Sequence, residues 1–199
     1  MRIRAILSVL LLLLIGVVPS FGQVVINEVL YDPPGSDTEC FVELMGEPGL
    51  GLDDYSLVGV NGDGGNKYNL IDLSGHRISQ DGYFVVAQSQ NVPKADLIDS
   101  KVNFQNGPDS IQLWRGDEKI DSVGYGDFSA ASFAGEGKPT LDLSGYSIGR
   151  RPDGIDTDNN SVDFVGLALA SPGERNGPAT AVSRTWKLVS VWGCIKKAR

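Results

Sequence analysis

The side chains that gather the most possible chemistry lie in one stretch, Asp153-Gly154-Ile155-Asp156-Thr157-Asp158-Asn159-Asn160-Ser161-Val162-Asp163. Asp156, Asp158 and Asn160 offer a side-chain oxygen at every second residue, and Asp153 and Asp163 can add more. A hard cation such as Ca²⁺ takes roughly six to eight oxygen ligands. These five residues are the candidate calcium ligands. An EF-hand is excluded, because the sixth position counted from Asp156 is Ser161 rather than glycine, and the twelfth is Leu167 rather than glutamate. The competing reading is an Asx-rich turn, in which Asp and Asn side chains bond neighbouring backbone. The incomplete ligand spacing favours that reading.

Glu28 and Glu43 are the candidates for acid–base work, since they fall on strands expected to be neighbours. Catalysis would need both in a cleft, with a substrate between them. The structural alternative is preferred: Asn27 and Glu28 bond loop backbone and fix the edge of the fold. No nucleophile triad can be assembled. His76 is the only histidine, in the turn-like Ser74-Gly75-His76-Arg77, and no serine sits in a Gly-x-Ser-x-Gly elbow. Asn61-Gly62-Asp63-Gly64-Gly65 lacks the Lys-Ser/Thr of a phosphate loop and reads as a turn. Cys40 and Cys194 lie in different regions with no metal-binding spacing, and they are read as unpaired thiols. No catalytic residue and no cofactor is therefore expected.

The elements that must position these groups are strands. Val24–Tyr31 is β-branched and apolar, and Asp32-Pro33-Pro34-Gly35 stops it. Phe41–Met45 follows, its alternation placing Val42 and Leu44 as a core pair opposite Phe41 and Glu43. Further strands are expected at 55–60, 67–71 and 83–87. A hairpin at 110–114 and 119–123 turns around Arg115-Gly116-Asp117-Glu118, and short strands are expected near 146–149 and 164–167. Ile71-Asp72-Leu73-Ser74-Gly75 and Leu141-Asp142-Leu143-Ser144-Gly145 are similar strand–turn segments with unmatched flanks. The rhythm predicts an all-β, Ig-like β-sandwich over 23–176.

The two ends differ from this body. Arg2 and Arg4 precede an apolar run, Ala5–Val18, and Ser20-Phe21-Gly22 places small residues before Gln23. That order predicts a signal peptide over 1–22 and an exported protein. The run is shorter than the roughly 20 residues that span a bilayer, which disfavours the alternative of an uncleaved anchor. Residues 23–176 hold all 25 acidic residues and carry a net charge of −15, so nucleic-acid binding by the body is not expected. Residues 177–199 contain no acid, and Arg184, Lys187, Lys196, Lys197 and Arg199 stand among Trp186, Trp192 and other apolar residues. Gly177-Pro178-Ala179-Thr180 reads as a linker. The rest reads as a basic tail for peripheral surface attachment or sorting, with a disordered extension as the alternative.

Several motifs in order resemble bacterial exported lamin-tail domains. Val25-Ile26-Asn27-Glu28-Val29 looks like the family's opening strand, and Phe41-Val42-Glu43-Leu44 like its second. Leu52-Asp53-Asp54-Tyr55-Ser56-Leu57 and Asp81-Gly82-Tyr83-Phe84-Val85-Val86 look like its next characteristic strands. Gly107-Pro108-Asp109-Ser110-Ile111-Gln112-Leu113 with Ile120-Asp121-Ser122-Val123-Gly124-Tyr125-Gly126 resembles its central hairpin. Ser147-Ile148-Gly149-Arg150, Pro152-Asp153-Gly154 and Ser171-Pro172-Gly173-Glu174-Arg175-Asn176 resemble its closing segments. Cys40 departs from the pattern, standing where the family often has an acidic residue. The resemblance implies an Ig-like sandwich without a catalytic centre.

The expected function is an exported, non-catalytic binding or scaffolding module, at the cell surface or outside the cell. Its partner would be an envelope or extracellular protein or a polysaccharide. Two rivals stand beside it. One is a Ca²⁺-dependent carbohydrate-binding or adhesion module, with Tyr31, Tyr68 and Trp114 as possible aromatic platforms. The other is a small carboxylate-based hydrolase using Glu28, Glu43 or the Asp loop.

Overall fold

Val25–Leu30 (β1) is buried along its whole length, and the fold is built around it. The computed structural model describes residues 23–128 and 132–180. β1 pairs antiparallel with Phe41–Met45 (β2) on one side and with Ile148–Arg150 (β9) on the other. Val24 and Ile26 enter the core before an irregularity in register at Asn27, and Val29 and Tyr31 enter it afterwards. A β-bulge of this kind re-aims side chains. Here it turns Glu28 to the opposite face, directly across from Glu43.

The remaining strands are Tyr55–Asn61 (β3), Lys67–Asp72 (β4), Tyr83–Ala87 (β5), Leu97–Ile98 (β6), Asp109–Arg115 (β7), Glu118–Tyr125 (β8) and Phe164–Gly166 (β10). They form two sheets, in the orders β10-β9-β1-β2-β5-β6 and β4-β3-β7-β8. All pairings between these strands are antiparallel except β5 with the two-residue β6. The described chain is thus an all-β sandwich of two sheets. Its core lies between them, with Val42 and Leu44 from one sheet and Leu57, Ile111, Leu113 and Val123 from the other. Leu73 and Leu143, from the two similar strand–turn segments, both reach this core.

The outer faces are not left bare. Leu30, Phe41, Val85 and Ala87 form a second apolar cluster under Val92 on the outside of the six-stranded sheet. On the outside of the four-stranded sheet, residues 132–138 lie across the end of β7 and β8. The Gln112 amide donates to the Ala134 carbonyl (3.0 Å), and a Cβ on Gly124 would collide with the Phe133 ring at 2.4 Å. Glycine at 124 lets that segment sit on the strand. The other end of the same face stays open.

Two local expectations change. Residues 160–163 form a single helical turn (α1) inside the Asp loop. Residues 177–180, expected to be a linker, are bound to the domain: Thr180 N donates to Gly166 O (2.7 Å) and Ala168 N to Pro178 O (3.2 Å). The carbonyl that ends β10 and the N–H two residues beyond it find their partners there. The signal-peptide and tail readings fall on residues 1–22 and 181–199, outside the described residues. Cys194 lies there too, whereas Cys40 is buried with its thiol against the Tyr31 carbonyl at 3.4 Å. Burial pushes that thiol up to about 12.

Candidate functional site

Glu28 and Glu43 are brought together as the strand order requires, but both are wholly buried and their oxygens are occupied. Glu28 accepts from the Ser147 hydroxyl (2.5 Å), and from the backbone N–H (3.1 Å) and hydroxyl (2.8 Å) of Ser171. Glu43 accepts from the Asn27 amide (2.9 Å) and the Gly173 N–H (2.6 Å). The Asn27 side-chain oxygen Oδ1 takes the Gly154 N–H (3.0 Å), and the Asn176 amide donates to Arg150 O (2.9 Å). The closing segment 171–176 is therefore latched onto β1 and β2 by carboxylates. Burial raises both acids, Glu43 to about 8, against the hydrogen bonds that favour the ionised form. A small hollow of about 250 Å³ between Arg151, Asp153 and Arg175 lies nearby, yet neither glutamate lines it.

A second buried cluster centres on Arg150. Its guanidinium donates to Asp121 (2.8 Å), Asp163 (3.0 Å) and Asp156 (3.2 Å), to the Ile26 carbonyl (2.8 Å), and stacks 4.6 Å from the Phe164 ring. Burial opposes the charge, but the three aspartates outweigh it and hold Arg150 above its ordinary value. Glu136 closes the group, 3.8 Å from the Lys119 ammonium and raised first by burial and then by the charges of Asp121 and Asp156. Neither Arg150 nor Asp121 figured among the sequence candidates. The only signal was slight: Asp121 stands between the apolar Ile120 and Val123 and Arg150 follows Ile148-Gly149, so a charge in each short run needs a partner if the run is buried.

The proposed calcium residues do not assemble as a ligand shell. Asp153 accepts from the Tyr83 hydroxyl (3.1 Å) and Asn176 N–H (3.0 Å). Asp163 accepts from Arg150 and from Thr157 N–H (2.9 Å) and hydroxyl (2.6 Å). Asn160 faces the other way, accepting from the Gly124 and Glu136 N–H groups (both 2.9 Å) and donating to Ser122 O (2.8 Å). Asp158 is exposed, and its N–H caps Asp156 at 3.0 Å in an Asx turn. Among the described residues the one group of three or more carboxylates with oxygens within 4.8 Å of one another is Asp121, Glu136 and Asp156, which shares only Asp156 with the expected set. Arg150 already supplies its cation. The donor set therefore does not fit Ca²⁺.

The aromatic candidates also separate. Tyr31 is buried and stacks on Tyr125 at 4.0 Å. Tyr68 is half-buried over Gly59, with its hydroxyl on Asp109, whose carboxyl burial pushes up to about 7. Trp114 is half-exposed on the open end of the four-stranded sheet. There it lines a groove of about 460 Å³ with Ser56, Val58, Lys67, Asn69, Leu70 and Asp117. The Lys67 ammonium stands 3.8 Å from the Trp114 ring centroid. The indole N–H donates to Gln112 Oε1 (3.0 Å), which the bond to Ala134 fixes in turn. His76 packs beside Phe84, 5.5 Å between ring centroids, away from both clusters and the groove.

Compared with known proteins, the chain matches no family model, no curated protein and no solved structure.

Proposed function

We propose that this chain is an exported, non-catalytic binding or scaffolding module with an Ig-like sandwich of the lamin-tail type, acting on the cell surface or outside the cell. One observation carries the reading. Glu28, Glu43 and Asp163 are spent on internal bonds, whereas the Trp114 groove presents an aromatic ring, a cation, a carboxylate and an amide to solvent. Buried, fully bonded carboxylates serve architecture, and a concave surface with idle polar groups serves recognition. Two mainly antiparallel sheets over one core support the sandwich, and the ordered motifs from Val25 to Asn176 support the lamin-tail type. Glu28 and Glu43 give the hydrolase reading little footing, since no cleft reaches them among the described residues.

The test has two arms. Expressed in its host, the protein should leave the cytoplasm with a mass that begins at Gln23. Incubated with glycosides, esters and peptides, it should release no product. Turnover that Glu43→Gln abolishes would move the chain to the hydrolases, and full-length protein in the cytoplasm would remove the surface role.

A further inference from the structure

The Trp114 groove is specific enough to name its ligand class. The indole is held edge-on by Gln112, itself only 7% exposed, so the ring is oriented before any ligand arrives. Preorganisation of this kind lowers the entropic cost of binding. Val58 and Leu70, the latter 58% exposed, add an apolar floor. Lys67 rests on the ring through the attraction of a cation for the π face, which is weak at an exposed site and readily exchanged.

The rim is polar and idle. The Asn69 amide nitrogen is used on the backbone of Lys101 and Asn103, leaving its oxygen to the groove, and no hydrogen bond within the described residues engages the Ser56 hydroxyl or the Asp117 carboxylate. Lys67 and Asp117 cancel, so the lining is neutral on a body of net charge −15. A polyanion would be repelled by that body. A peptide adding as a strand is blocked as well. The outer edge of β4 is covered by the segment that Asn69 holds at 2.9 Å and 3.1 Å and that returns the Lys101 ammonium to Leu70 O at 3.1 Å. What fits is an uncharged ligand with one apolar face and many hydroxyls.

We infer that the Trp114 groove binds a neutral oligosaccharide without calcium, a sugar ring stacking on the indole while Asp117, Asn69 and Lys67 bond its hydroxyls. The inference rests on the binding-module reading and names its ligand. The C–H face of a pyranose buries against the negative face of the aromatic quadrupole, and its hydroxyls need both donors and acceptors at the rim. The groove volume falls within the roughly 300–1,000 Å³ of small-ligand clefts. The Lys67 ammonium moves from ring to hydroxyl as the sugar arrives.

The full chain should be mixed with cellulose, chitin, xylan, mannan and starch, and with alginate and heparin as anionic probes, with and without EDTA. The expected result is retention on at least one neutral polysaccharide, unchanged by EDTA and by high salt. Trp114→Ala should weaken it on the order of tenfold or more, at a nearly unchanged Tm, while Leu169→Ala, at an exposed residue outside the groove, has no effect. Retention on no neutral polysaccharide overturns the inference. So does retention that survives Trp114→Ala, or that appears only on the polyanions and vanishes with salt. If instead a Trp114-dependent protein partner is found and no saccharide, the ligand class fails while the binding-module reading stands. Sugar release in the same mixtures would defeat the binding-module reading itself.

Discussion

The buried polar seam around Glu28, Glu43 and Arg150 and the open groove around Trp114 use the same kinds of side chain to opposite ends. In the seam, every carboxylate bonded to Arg150 or to the closing segment has its partner in the protein. Such groups hold the fold, because a charge taken from water must be compensated at once. In the groove, Asp117 and Ser56 make no hydrogen bond within the described residues and Lys67 only rests on the Trp114 ring, and beside water this costs little. The lesson is that carboxylate density, the most conspicuous feature of this sequence, marks architecture here. The surface proposed for binding is marked by a single tryptophan on the outer side of a strand.

The largest effect that would sharpen this contrast is Arg150→Met. It leaves Asp121 and Asp163 buried without a counter-charge, and urea denaturation should show a loss of about 3–5 kcal/mol, the usual cost of breaking a buried ion pair. Trp114→Ala should lose far less, since surface positions usually matter by about half a kcal/mol. Equal losses would erase the distinction between frame and surface.

The pH dependence comes next. Glu43 is raised to about 8 from 4.5, and Asp109 to about 7 from 3.8, both chiefly by burial. The folded state binds these protons more tightly than the unfolded one. Their contribution is fully present below the unfolded values and is lost as pH rises through the folded values. Thermal melts should therefore give a higher Tm near pH 5 than near pH 8.5. Glu43→Gln should flatten part of that slope, although its amide faces an N–H from Asn27 or Gly173 and lowers the Tm at pH 5. A Tm that climbs with pH over this window would show that the hydrogen bonds to Glu43 outweigh its burial.

The smallest expected effect is that of calcium. Because Arg150 occupies the carboxylate cluster and Asn160 is engaged with β8, millimolar Ca²⁺ should shift the Tm no more than Mg²⁺ does. A Ca²⁺-specific rise, removed by Asp156→Ala with Asp158→Ala, would restore the loop as a metal site.

Much of the frame was legible in the residues. Period-two alternation in Phe41–Met45 placed Val42 and Leu44 inside, and the Pro and Gly clusters marked where strands end. The hairpin around Arg115-Gly116-Asp117-Glu118 was read at nearly its observed bounds. Local patterns decide these features, because alternation and turn chemistry act over a few residues. The register irregularity at Asn27, which aims Glu28 at Ser171 across 143 positions, was not readable, nor was the meeting of Arg150 with Asp121. Nor could local spacing show that Asn160 turns away from Asp156 to hold β8, or that Gln112 and Lys67 set the orientation and cover of Trp114. Those outcomes depend on which distant strands become neighbours. That is decided when the two sheets close on a common core and each buried charge must find a partner from whatever the packing brings within reach.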